Sequence, residues 1–220
     1  MKVAVLGGTG QLGSGLARRW ALAGLSVIIG SRRPQSAADA AAALVQDLAG
    51  TKKPADVIGS ANADAAKAAD IVVLTVPFEN QRALLEEAKP ALVGKILIDA
   101  TVPLVPPRVA RVQLPAQGSA AQIAAEVLGE GVRVVSGFHN VAAEKLQHDE
   151  PIDCDVLIFG DDKAAREEAV KLANAAGLRG LHGGPLANSA AAEALTSVII
   201  FLNKQYGGPA GIRLTGLDVK

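Results

Sequence analysis

Apolar positions along the chain follow two alternating rhythms. Val3–Leu6, Val27–Ile29, Ile71–Val76, Ile96–Ile98, Val132–Val135 and Val156–Phe159 are short, β-branched and apolar throughout, as strands are when both faces are covered. Longer alanine-rich stretches lie between them, at Gln11–Ala23, Ser36–Leu48, Ala63–Ala69, Asn80–Lys89, Ser119–Leu128 and Ala164–Ala175. The alanine run 40–43 fits inside one of these helices, because alanine has the highest intrinsic helix propensity. Strand and helix repeated in this order predict an α/β fold built on a doubly wound parallel sheet.

The rhythm changes at Gly183-Gly184-Pro185. One long apolar segment follows, Asn188–Lys204, and then a glycine-rich tail. The chain therefore divides, on this reading, into a sheet domain at 1–184 and a small helical C-terminal domain at 185–220. A helix as apolar as Leu195–Leu202 packs inside its own subunit, as a lid, or against a second one. A homodimer is expected, two-fold dimers being the commonest assembly.

Composition narrows the partners. The 220 residues carry 22 basic and 22 acidic side chains, half of them are apolar, and 3% are aromatic. That balance suits a globular core and argues against a nucleic-acid binder, which needs basic surface and exposed rings. Cys154 is the single cysteine, so neither a disulfide framework nor a paired-cysteine metal site is available. The chain opens directly into Lys2-Val3-Ala4-Val5, without the charged leader and apolar core of a signal peptide, and a cytoplasmic protein is expected. Val72–Val76 and Val198–Leu202 are far shorter than the roughly 20 residues that span a bilayer, so no membrane role is expected.

Gly8-Thr9-Gly10-Gln11-Leu12-Gly13 follows the first strand and opens the first helix. In this pattern Gly8 serves the tight turn, Gly10 lets backbone approach a pyrophosphate, and Gly13 allows close helix–strand packing, while free N–H groups of the helix start face the phosphates. A dinucleotide site in a Rossmann-type domain is expected. The second strand runs into Ser31-Arg32-Arg33, where NAD-binding folds place a carboxylate for the ribose hydroxyls. A hydroxyl and guanidinium forks suit a 2′-phosphate instead, which favours NADP.

Other strand ends should complete the site, because ligands sit at the carboxyl edge of such sheets. Val76-Pro77 is placed to carry the chain over the nicotinamide half, and Thr101-Val102-Pro103-Leu104 reaches the same rim. His139 follows the Val132–Val135 strand. It is either an acid–base catalyst or a neutral hydrogen-bonding residue. Neither loop holds a nucleophilic triad or a cluster of metal ligands, so no metal site is expected.

With these motifs in place, the chain resembles the F420-dependent NADP reductases. The resemblance rests on Gly7–Gly13, Gly30-Ser31-Arg32-Arg33, Thr75-Val76-Pro77, Val102-Pro103-Leu104-Val105-Pro106, Ser119-Ala120-Ala121-Gln122-Ile123, Gly160-Asp161-Asp162, Gly184-Pro185-Leu186-Ala187-Asn188-Ser189 and the tail ending Gly211-Ile212. It implies hydride exchange between NADP(H) and the deazaflavin coenzyme F420. By the same resemblance Thr9 to Leu12, Ser31, Arg32, Val76 and Ala143 hold NADP. Thr101 to Leu104, His139 and Asn140 line the deazaflavin pocket, with Ala210 and the neighbouring Gly211 closing it. Ala190 and Ala191 depart from the bulkier or charged residues of the family. Two other readings stay open on the residues alone: an NADP-dependent reductase of an imino or keto acid, and a non-catalytic NADP-sensing regulator.

Overall fold

A computed structural model describes residues 1–51 and 55–218; residues 52–54 of the expected sheet domain and 219–220 of the C-terminal one lie outside them. The described chain runs β1 (Lys2–Leu6), α1 (Gln11–Leu22), β2 (Ser26–Ser31), α2 (Pro34–Asp47), β3 (Val57–Ala61), α3 (Asn62–Ala68), β4 (Ile71–Leu74) and α4 (Phe78–Leu92). It continues through β5 (Ile96–Asp99), α5 (Ala120–Leu128), β6 (Arg133–Ser136), α6 (Ala143–Leu146), β7 (Asp155–Gly160), α7 (Lys163–Ala175), β8 (Arg179–Gly184), a 3-10 turn at Leu186–Asn188, and α8 (Ser189–Tyr206). All eight strands join one sheet in the order β3-β2-β1-β4-β5-β6-β7-β8, the doubly wound Rossmann arrangement with two strands added. Pairing is parallel except between β6 and β7.

The two faces explain the apolar runs. Val3, Val5, Val27, Ile29, Val73 and Ile98 pack with Leu16 and Trp20 of α1 and Leu172 of α7. The alternate residues Ala4, Leu6, Val72, Leu74 and Leu97 pack with Leu84, Leu85, Ala121 and Ala124 of α4 and α5. A strand covered on both sides therefore reads as an almost unbroken apolar run. Each large side chain buried this way contributes about 1.5–3 kcal/mol. β3 and β8, the outermost strands, escaped the sequence reading because they are built differently: Ile58 is exposed, and β8 contains Gly180, Gly183 and Gly184.

Register brings the functional edge together. Leu6 pairs with Gly30 and Leu74, Leu74 with Asp99, and Asp99 with Ser136. The carboxyl ends of β1, β2, β4, β5 and β6 thus form one rim.

α8 returns across the β5–β6 end of the sheet. Its Glu193 carboxylate accepts the Ala120 N–H of α5 at 2.6 Å, and Ser189 shares a 2.5 Å hydrogen bond with Ser136 of β6. Beyond it, Asp155 anchors the tail, accepting the Leu214 N–H at 2.6 Å and pairing with Arg179 at 2.6 Å. Among the described residues, the 21-residue segment Leu186–Tyr206 is long and apolar enough to cross a membrane, with mean hydropathy 1.3, and a third of it is buried in the protein. That corrects the expectation that the apolar runs are too short: helical continuity joins Val198–Leu202 to Leu195 and the alanines before it.

Candidate active site

The glycine turn forms where β1 gives way to α1. Gly7 takes φ +75°, and a Cβ there would stand 2.5 Å from Val76 Cγ1. The left-handed position is therefore Gly7 rather than Gly8, whose own Cβ would press on the Val5 carbonyl at 2.7 Å. Gly13 performs as expected: a Cβ there would lie 2.6 Å from Thr75 Oγ1 and 2.8 Å from Gly8 Cα. The first amide of α1 with an intrachain acceptor is that of Ser14, bonded to the Gly10 carbonyl at 2.8 Å, so the N–H groups of Gln11, Leu12 and Gly13 have none among the described residues. No side chain caps the helix. Three free amides at the positive end of a helix dipole make a phosphate cradle.

Beside this cradle lies a cleft of about 640 Å³, lined by Gly7, Thr9, Ser31, Arg32, Arg33 and Val76, within the usual range for small-molecule sites. Arg32 and Arg33 are exposed, and their guanidiniums have no side-chain partner among the described residues. Ser31 Oγ accepts the Arg33 N–H at 3.2 Å and fixes the turn that presents them.

Asn62, Asn80, Ala83, Leu84 and Glu87 line the same cleft and were not expected. Asn62 Oδ1 accepts the Gly7 N–H at 3.4 Å. It starts α3 directly after β3, so it became visible only once that edge strand was in place. The α4 residues carry no chemical signature. The other expected residues of this half sit close by without lining the cleft. Pro77 caps α4 and accepts the Asn80 N–H at 2.9 Å. Ala143 begins α6, which packs on α1 where Gln147 donates to the Gln11 carbonyl at 2.9 Å.

The second half is built on β5 and β6. Thr101 follows β5 with its N–H donating to Asp99 Oδ1 at 2.9 Å; Pro103 is buried beyond it, and Val102 and Leu104 are half-buried. After β6, Phe138 is fully buried in the left-handed region at φ +66°, a conformation that a bulky residue keeps only where its surroundings enforce it. His139 follows, 7% exposed. Its two ring nitrogens and Thr101 Oγ1 are buried without a hydrogen-bond partner among the described residues. Burial pushes the imidazole pKa down to about 4, opposed only by the Asp99 carbonyl.

Asn140 is tied to α8 as well. Its amide nitrogen is committed to α8, donating to the Ala192 carbonyl at 2.9 Å and to Thr196 Oγ1 at 3.0 Å, so the side chain serves the helix. The tail does reach this loop: a Cβ on Gly211 would lie 2.7 Å from Cys154 Sγ and 3.7 Å from the Asn140 carbonyl. Ala210, exposed, donates its N–H to Asn203 Oδ1 at 2.9 Å. Among the described residues no cluster of three or more His, Cys, Asp or Glu could hold a metal.

Comparison with known proteins agrees with this architecture. Residues 2–103 match the family model for coenzyme F420-dependent NADP oxidoreductase. An F420-dependent NADP reductase of Methanocaldococcus jannaschii is 40% identical over 100% of both chains. One of Methanothermobacter marburgensis is 43% identical over 99% of each. A crystal structure from Arthrobacter sp. FB24, described provisionally as an F420-dependent NADP reductase, superposes with a TM-score of 0.76 at 28% identity, covering 95% of this chain and 96% of the other. Likeness of this degree, running from end to end of both chains, makes this chain a member of the F420-dependent NADP reductase family.

Proposed function

We propose that the protein is an NADPH:coenzyme F420 oxidoreductase that moves a hydride directly between the two cofactors. The observation that carries the NADP half is the pair of unpartnered guanidiniums at the end of β2, beside three helix amides without acceptors. When bound, the nicotinamide and the deazaflavin supply the hydride donor and acceptor carbons.

The protein's own part is placement. The cradle at Thr9, Gly10, Gln11 and Leu12 receives the pyrophosphate, Ser31 with Arg32 and Arg33 receives the 2′-phosphate, and Val76, Pro77 and Ala143 border the rest. The loops at Thr101–Leu104 and His139–Asn140, with Ala210 and Gly211, form the deazaflavin side. Thr101 Oγ1 and the His139 ring nitrogens are buried and unsatisfied, as polar atoms are when a ligand group completes them. Such a site holds two flat rings in register and excludes water, and orientation alone can supply about 7–11 kcal/mol of the barrier. His139, neutral at physiological pH, can hold or pass a proton at a ring nitrogen by hydrogen bonding.

The 185–220 segment is read as the small domain that closes this pocket. α8 leaves Val198, Phe201 and Leu202 exposed, an apolar strip suited to a homodimer in the cytoplasm. Burial of Glu193 and Ser189 on its other face supports keeping the helix out of a membrane. The test is spectroscopic: purified protein given NADPH and F420 bleaches the deazaflavin's long-wavelength absorbance. Consumption of NADPH with an imino or keto acid and none with F420, or binding without turnover, overturns the assignment.

A further inference from the structure

Two buried carboxylates meet beneath the ends of β5 and β6. Asp99 Oδ2 accepts Gln81 Nε2 at 2.5 Å, and Gln81, on α4, also donates to the Ala120 carbonyl at 2.9 Å. The amides of Ala120 and Ala121 donate in turn to Glu193 at 2.6 and 3.2 Å. Asp99 and Glu193 are 0% and 1% exposed, and neither makes an ion pair among the described residues. The same stretch of α8 grips the second-cofactor loop: Ala192 and Thr196 hold Asn140, and Thr196 Oγ1 donates to the His139 carbonyl at 3.1 Å.

Two uncompensated anions in one buried node are strongly unfavourable. The neighbours offer no relief. The first turn of α5 carries no charged side chain, and Gln81 and Ser136 are neutral. His139 is buried and uncharged. Arg82 of α4 and Glu126 of α5 face each other at the surface, 3.9 Å apart. Arg111, whose carbonyl accepts Ser197 Oγ of α8, keeps its side chain exposed, as does Lys204 at the far end of the helix. On β7, Asp155 is already neutralised by Arg179.

We propose that Asp99 and Glu193 are positioning residues that carry one proton between them, and that this proton keeps α8 docked so that the Thr101 and His139–Asn140 loops hold the second cofactor. The link to the second cofactor rests on the hydride-transfer reading above. Burial pushes Glu193 up to about 8 and Asp99 up to about 6, against the hydrogen bonds they accept. In a coupled pair the proton belongs to the pair, so either carboxyl can bear it. A carboxyl raised in this way stabilises the fold below its ordinary pKa, and the contribution is lost as pH rises through the folded value. The node therefore loosens as pH climbs past about 8.

Three variants test this: Glu193→Gln, Asp99→Asn and Glu193→Ala. Thermal denaturation without either cofactor should show the wild-type midpoint falling from about pH 4.5 up to about 8 and levelling off above that, and a markedly flatter profile in both amide variants, since each removes one titrating group. In steady-state assays at pH 7, Glu193→Ala should raise KM for F420 by about tenfold with KM for NADPH within about twofold, and Glu193→Gln should recover most of that loss. The wild-type KM for F420 should rise above pH 8 more steeply than that of Glu193→Gln. Amide variants that keep the full fall in midpoint between about pH 4.5 and 8 overturn the shared proton, and an unchanged KM for F420 in Glu193→Ala overturns the positioning role. If wild-type protein does not bleach F420 at all, the assigned activity and the positioning role fail together, while the denaturation profiles still decide whether the pair holds a proton.

Discussion

Phe138 meets Trp20 edge-on, the ring centroids 5.9 Å apart and the planes at 81°. This contact holds a phenylalanine at φ +66° one residue before His139. Trp20 is itself fixed by its indole N–H, which donates to the Leu172 carbonyl at 2.8 Å. A backbone conformation that costs of order 1–3 kcal/mol is thus maintained from the core.

Replacing Phe138 by alanine removes that anchor. Stability should drop by about 3–5 kcal/mol, the usual loss for a large buried aromatic, partly offset if the chain relaxes from the left-handed region. Chemical denaturation reads the first effect. KM for F420 should rise while that for NADPH does not, because the glycine cradle lies on β1 and α1. Equal rises would place the strain outside the second pocket.

Arg32→Ala should weaken NADPH binding by about 1.5–3 kcal/mol, the worth of a charge-assisted hydrogen bond. NADH, lacking the 2′-phosphate, should be nearly unaffected. Arg33 lines the same cleft and can take part of the load, so the double variant should lose more than either single one. Titration calorimetry checks this, and affinities for both cofactors falling together would contradict the phosphate role.

His139, with its pKa pushed down to about 4, stays neutral through the physiological range. Its depressed value gives stability that is complete above its ordinary pKa near 6.5 and is lost as pH falls toward 4. His139→Ala should therefore flatten the acid limb of a thermal denaturation profile. It should lower turnover by about 10²-fold, the low end for an acid–base group, and leave no step near pH 6.5 to remove. Full activity from pH 5 to 9 would make the residue purely structural.

Ala210→Trp tests the tail. The residue is exposed and touches the protein through its N–H bond to Asn203, so the fold should tolerate the larger ring and the melting temperature should stay within a few degrees. If the tail closes over the deazaflavin, the indole fills that space. F420 bleaching should then fall sharply while NADPH affinity is unchanged. Wild-type affinity for F420 would place the second cofactor elsewhere.

Local pattern was enough for much of this molecule. The runs at Val3–Leu6 and Ile96–Ile98 declare strands covered on both faces, and Gly8 to Gly13 followed by an amphipathic helix declares the phosphate turn, because strand burial and helix amides act within a few residues of sequence. The arginines after β2 identify themselves in the same way, by standing where a carboxylate is usual. Edge strands β3 and β8 stayed hidden, since a strand open to solvent on one side and rich in glycine carries no apolar run, and Asn62 was hidden with them.

What tertiary structure decided were relations between distant residues. Only packing shows that Gly7 rather than Gly8 takes the left-handed turn, pressed by Val76. Asn140 is tied to α8 through Ala192, 52 residues away in sequence. Glu193 looks from sequence like an ordinary charge interrupting an apolar helix, yet the fold buries it against the amides of α5 beside Asp99. Burial of a charge depends on which elements meet over it, and that is fixed by how the sheet and α8 close together, which local sequence does not encode.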